Sequence, residues 1–174
     1  MSNPEIGTVL VAIDGSQNSM VAAGVGARIA KLLNAHVGLI HVLDFPTLAF
    51  WGGVEARMKV DIRAQAEITL TEISEKLHTI CDVLPEFYIV EGVPVEEIIR
   101  VVREDPKILM VIAGRHGLAT EKKSQFRLQR AMGRLSSKLG EHLPVPLMVV
   151  PPDVPISHIC AAMAEFRAES EKPE

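Results

Sequence analysis

"TVLVAIDGSQNSMVAAGVGARIAKLLNAHVGLIHVL", Thr8 to Leu43, decides the fold. Its opening, Thr8 to Ile13, is a β-branched and almost wholly apolar run, the pattern of a central strand covered on both faces. Asp14-Gly15-Ser16 then turns the chain. Ser16 is placed to cap a helix from about Gln17 to Leu33, whose Met20, Val21, Ile29, Leu32 and Leu33 are expected to face a sheet. Asn34 supplies a stop, and His36 to Leu43 reads as a second buried strand.

The same alternation continues outward from this unit. Gly53 to about Val83 carries apolar residues at mixed three and four spacing with charges between, a long amphipathic helix. Glu86 to Gly92 gives a third strand. Pro94, at a position where proline is tolerated, opens a short helix through Arg103, and Lys107 to Gly114 gives a fourth strand. A helix near Arg130 to His142 and a strand from Pro146 to Val150 complete the last cycle. Strands alternating with helices predict an α/β, doubly wound, mostly parallel sheet, with any ligand at the strand ends where the strand order reverses.

Beyond Pro151-Pro152 the sequence changes character. Ile156, Ile159, Cys160, Met163 and Phe166 share one helical face. The expected organisation is one domain over residues 1–153, followed by an amphipathic helix and a frayed tail over 154–174. That helix is either a flap on its own domain or a contact for a second subunit or partner.

The 174 residues, 48% of them apolar, suffice for one substantial core. A net charge of −4 argues against a chain built to coat nucleic acid or an anionic membrane, and leaves room for local basic patches. Neither a basic leader nor a long apolar run is present, so a cytoplasmic protein without membrane association is expected. Cys81 and Cys160 lack metal-type spacing and read as buried free thiols. The histidines include no pair at zinc-site spacing, so no metal centre is indicated. Ser16 and Ser19 lack the Asp-His support of a hydrolase triad.

One further stretch carries chemistry. "GRHGLATEKKSQFRLQRAMGRLSS", Gly114 to Ser137, follows the fourth strand, and Asp14 follows the first. In a doubly wound sheet those two strand ends can be neighbours across the switch point. Glycines there let the backbone approach a ligand closely, and amides at a following helix N-terminus can receive phosphate oxygens. Spacing alone does not separate that role from turn and cap glycines.

From about Ile6 to Val150 the chain resembles the universal stress protein family. The likeness rests on "VLVAIDGSQNS", "HVGLIHVLD", "EGVPVEEIIRVVRED", and "LMVIAGRHG" with "GRLSSKLGEHLPVPLMVV". The resemblance implies a five-stranded, Rossmann-like sheet of order 3-2-1-4-5, of the adenine nucleotide α-hydrolase type. It also implies a homodimer formed by antiparallel pairing of the last strand, here Val145 to Val150, and a role in stress response.

Some members of the family bind ATP through Gly, two residues, Gly, nine residues, then Gly with Ser or Thr. Gly114 and Gly117 match, with His116 placed to approach the phosphates. Gly133 follows Gly117 after the fifteen residues "LATEKKSQFRLQRAM" instead of nine. Arg134 stands where the small hydroxyl is expected, and Ser136 matches a second hydroxyl position. Asp14 matches the residue that hydrogen-bonds the nucleoside, and Val42 a position whose backbone meets the adenine. Arg134 either blocks the pocket or forks onto phosphate oxygens.

The longer loop adds Lys122, Lys123, Arg127 and Arg130. This cluster clamps phosphates, docks an acidic partner, or is a solvated loop. "DFPTLAFWGG", Asp44 to Gly53, is apolar for a loop, and Phe45, Phe50 and Trp51 either lid the base, form an interaction patch or anchor the crossover.

The sequence thus leads to a universal stress protein-like regulatory module. The expected ligand is ATP, with or without magnesium, or another adenine nucleotide. The site residues are Asp14, Val42, Gly114, His116, Gly117, Gly133, Arg134 and Ser136. The alternative is a nucleotide-free dimeric interaction protein of the same fold. No residue set points to a dedicated enzyme; slow ATP hydrolysis involving His116 or Arg134 is the most expected.

Overall fold

The computed structural model describes residues 6–45, 54–115 and 133–154, and for 54–56, 133, 134 and 136 the backbone alone. Five strands form one sheet: β1 (Thr8–Ala12), β2 (His36–Leu43), β3 (Glu86–Glu91), β4 (Ile108–Gly114) and β5 (Leu147–Val150). Their order is β3-β2-β1-β4-β5, and every neighbouring pair is parallel. The sheet order implied by the resemblance is therefore the order found. Parallel sheets need both faces covered, and among the described residues four helices do this: α1 (Gln17–Leu33), α2 (Val54–Cys81), α3 (Pro94–Glu104) and α4 (Gly133–His142).

Alternate strand residues divide the core into two layers. Val9, Val11, Leu39 and Ile112 pack with α1 and α2 residues such as Val25, Leu70 and Ile73. Leu10, Ile40 and Val111 pack with Ile98 and Val102 of α3 and Leu139 of α4. The helices change faces between β2-β3 and β3-β4, so β1 and β4 lie side by side with their connections running to opposite sides of the sheet. Their C-terminal ends make the switch point.

Helix α1 starts and stops where the sequence says. Gly15, at φ 80°, makes the turn that a side chain would strain. The Ser16 side chain then accepts a hydrogen bond from the Ser19 amide at 3.0 Å, satisfying one of the helix's orphan donors. At the far end Asn34 adopts the left-handed conformation, φ 50°, and closes the helix.

The buried face of α1 differs from expectation. Leu32 and Leu33 are 51% and 53% exposed. The helix instead docks through Ala22, Ala23, Gly26, Ala27 and Ala30, all buried. Small residues let the helix axis approach the sheet closely, which turns the bulky leucines of the last turn outward. Val21 is buried as expected, with Met20 and Ile29 packed partly against the same core.

In α2 the buried residues Ala66, Leu70, Ile73, Leu77 and Cys81 recur at helical spacing. Cys81 is a buried free thiol, as read from sequence; Cys160 lies outside the described residues. Pro94 opens α3, with Glu96 and Glu97 in its first turn and Arg103 in its last, complementing the helix dipole. On its exposed side Arg100 pairs with Glu97 at 2.7 Å and Glu104 at 2.6 Å. Beyond β5, Val154 packs against the core layer shared by α1 and α2. The rest of the expected C-terminal helix and tail over 154–174 lies outside the described residues.

Candidate functional site

The register Ala12↔Ala113 fixes the geometry of the site, because it brings the ends of β1 and β4 level. Asp14 and Gly114 thereby come to one place, as the sequence predicts for a switch point. A cleft of about 100 Å³ opens there. Asp14, Ser19 and Gly114 supply its polar rim, and Ile40, Val42 and Ile98 part of its apolar wall. Pro94 and Leu135 bring α3 and α4 to the same cleft, and Ala12 and Ala113 form its floor.

The turn carrying Asp14 is internally braced. Asp14 Oδ1 accepts from the Ser16 amide at 3.0 Å, Ser16 Oγ accepts from the Ser19 amide, and Ser19 Oγ donates to the Ser16 carbonyl at 2.8 Å. This makes an Asx turn running directly into a capped helix. An acceptor-only carboxylate is thus held at the mouth of an apolar cleft, suited to a ligand with hydroxyl donors beside a flat apolar ring.

Gly114 sits against a second buried group. A β-carbon there would lie 3.0 Å from Asn18 Cγ and 3.1 Å from both its Oδ1 and its main-chain carbon. Asn18 is only 1% exposed, and its Nδ2 donates to the Val150 carbonyl oxygen at 3.1 Å. The amide of Arg115 donates to that same oxygen at 2.8 Å.

His41 lies behind the cleft. Its neighbours Ile40 and Val42 face the cleft, so strand alternation turns His41 toward the face that α1 and α2 cover. Burial pushes its imidazole below the ordinary value, against the opposing effects of a hydrogen bond with the Ile13 main chain and the nearby Asp14 charge. Its Nδ1 is buried without a hydrogen-bond partner among the described residues.

Of the expected site residues, Asp14, Val42 and Gly114 are brought together. Gly133 is the first residue of α4, and Arg134 and Ser136 follow in its first turn; the side chains of the latter two lie outside the description. His116 and Gly117 fall outside the described residues, as do Lys122, Lys123, Arg127 and Arg130 of the longer loop, and Phe50 and Trp51. Phe45 is described, with the Lys59 ammonium 5.1 Å from its ring centre, a cation–π distance.

Sequence reading missed Ile40, Pro94, Ile98 and Leu135 as cleft walls, because each reads locally as an ordinary core or helix-start residue. It also missed Asn18 and His41. The one signal for Asn18 is a polar side chain at the second position of a helix whose next turns, Met20 to Ala27, are apolar. For His41 it is a titratable residue in the interior of a strand that is apolar from Val37 to Ile40 and again at Val42 and Leu43.

Among the described residues, no cluster of three or more His, Cys, Asp or Glu is arranged to hold a metal ion. No described helix is long and apolar enough to cross a membrane.

The sequence matches the family model of the universal stress protein family over residues 5–151. No curated protein matches it. Among solved structures it is similar to a universal stress protein from Lactobacillus plantarum, with a TM-score of 0.69 at 20% identity, covering 85% of this chain and 99% of that one. A universal stress protein solved in complex with cAMP gives a TM-score of 0.60 at 20% identity, covering 85% and 98%. One from Archaeoglobus fulgidus, solved in complex with dAMP, gives 0.60 at 15% identity, covering 83% and 97%.

Proposed function

The chain belongs to the universal stress protein family, and from that premise we propose that it is a stress-response module that binds ATP or another adenine nucleotide at the C-terminal ends of β1 and β4. The observation that carries this reading is the convergence of Asp14, Val42 and Gly114 on one cleft. Relatives of the same fold solved with cAMP and with dAMP support it.

The residues present fit the base and sugar of such a ligand. The Ile40, Val42, Pro94, Ile98 and Leu135 side receives an adenine ring, and the Asp14 carboxylate accepts from ribose hydroxyls. Gly114, with His116, Gly117, Gly133, Arg134 and Ser136, receives the phosphates. Arg134 at the head of α4 adds a fixed positive charge where anions already favour the helix N-terminus. Nucleotide occupancy then sets the surface presented to a protein partner, in a homodimer paired through β5.

A second reading has its own support. The cleft holds about 100 Å³, below the roughly 300 Å³ at the small end of ligand pockets. Under this reading the chain is a nucleotide-free interaction protein whose longer loop and tail serve assembly.

Calorimetric titration of nucleotide-stripped protein with Mg-ATP separates the two, preceded by denaturing extraction and mass spectrometry of whatever co-purifies. Micromolar binding or an adenine nucleotide in the extract supports the first reading. A flat titration and an empty extract support the second.

A further inference from the structure

The Val150 carbonyl oxygen joins two parts of the molecule that the chain itself keeps far apart. It ends the edge strand β5, and it accepts one bond from Asn18 Nδ2 at 3.1 Å and another from the Arg115 amide at 2.8 Å. Arg115 follows Gly114, the residue paired in register with Val150 and pressed against the Asn18 side chain. Asn18 itself belongs to the same turn-and-cap segment as Asp14 and Ser19, which line the cleft.

We propose that Asn18 is a positioning residue that couples the cleft to the β5 edge through the Val150 carbonyl, so that ligand contact at Gly114 and Arg115 changes the order of β5. The proposal rests on the nucleotide reading above.

The physical case is one of anchorage. Asn18 is fixed at the start of a capped helix and is 1% exposed, so its amide is a stationary donor. The Arg115 amide is the donor on the ligand side, since its residue follows Gly114, which lines the cleft. A ligand drawing the 114–115 backbone toward itself pulls on a carbonyl that Asn18 holds in place. The Arg115–Val150 bond is then stretched, and the end of the β4–β5 pairing loosens. Without the Asn18 donor, the carbonyl follows Arg115, the bond between them survives, and β5 keeps its order. The strand concerned is the exposed edge, where Met148 and Val149 are 37% and 39% exposed. Any chain pairing with β5 would therefore meet an edge whose order depends on the cleft.

Backbone hydrogen exchange of the β5 peptide, with and without saturating Mg-ATP, tests this in the wild type, Asn18→Asp and Asn18→Ala. Saturation of each protein is set from its own titration. Asp keeps the side-chain shape but its carboxylate lacks the donor, and it adds an acidic group to the first helical turn, which the helix dipole favours. Ala removes the side chain. In the wild type, nucleotide should change β5 exchange by on the order of tenfold. In both variants that response should fall to within about twofold, while peptides from β2 and β3 exchange alike in all three proteins.

Nucleotide binding without a β5 response in the wild type overturns the proposal and leaves the nucleotide reading standing. A response of equal size in the variants also overturns it, since the coupling would then run through Arg115 alone. Absence of nucleotide binding in the wild type overturns the nucleotide reading, and this proposal with it.

Discussion

Gly26 of α1 lies so close over Val11 of β1 that a β-carbon on it would overlap the Val11 γ-methyl group. This contact sets the height of the helix above the sheet, and so the position of the turn that carries Asp14. Alanine is the better helix former by about 1 kcal/mol, but here it would overpack a fully buried strand, which costs about 1–3 kcal/mol. Gly26→Ala should therefore lower the unfolding free energy measured in urea. A variant as stable as the wild type would show that α1 lifts from the sheet freely.

Gly114→Ala meets Asn18 at 3.0–3.1 Å. Its neighbour is held by the bond to Val150 and cannot withdraw. Destabilisation of about 1 kcal/mol is expected, with weaker Mg-ATP binding by calorimetry. Gly140→Ala is the contrasting control. There the nearest atom to the added carbon is Leu147 Cδ2 at 3.9 Å, and helix propensity should raise stability by up to about 1 kcal/mol.

Ser16→Ala removes the acceptor of the Ser19 amide. A loss of about 1 kcal/mol in thermal or urea unfolding is the expected result, largely recovered by Ser16→Asn, which keeps a capping oxygen. Equal stability of the alanine variant and the wild type would mean that water caps α1 as well as Ser16 does.

His41 makes stability depend on pH. Its folded pKa lies below the ordinary value because of burial, so below about pH 6.5 the unfolded state binds the proton first. The contribution is complete above that pH and is lost as pH falls through the folded value. His41→Gln should flatten this part of the profile, whose slope for one proton is at most about 1.4 kcal/mol per pH unit. Urea midpoints between pH 5 and 7.5 measure it; parallel profiles for variant and wild type would remove His41 from the account.

The proposed β5 pairing is tested at Val149, an exposed residue on the sheet edge. A lysine on an edge strand opposes strand addition. Val149→Lys should sediment as a monomer where the wild type sediments as a dimer, and identical sedimentation would place any interface elsewhere.

The elements of this protein were legible because local chemistry marks them. Central parallel strands such as Thr8–Ala12 and His36–Leu43 must be apolar on both faces, and the helix between them carries its own start and stop in Ser16 and Asn34. The family likeness supplied the strand order, and the switch point placed Asp14 beside Gly114.

Contact was not legible where size and distance decide it. Leu32 and Leu33 looked like the buried side of α1, yet the helix docks through its small residues because Gly26 meets Val11. Pro94, Ile98 and Leu135 became cleft walls only when two helices on one sheet face converged. Asn18 and Val150, 132 residues apart, meet because β5 lies beside β4, with the start of α1 over their ends. Periodicity and caps act within a few residues of one another. Such contacts depend on how closely whole elements pack, which the tertiary structure alone decides.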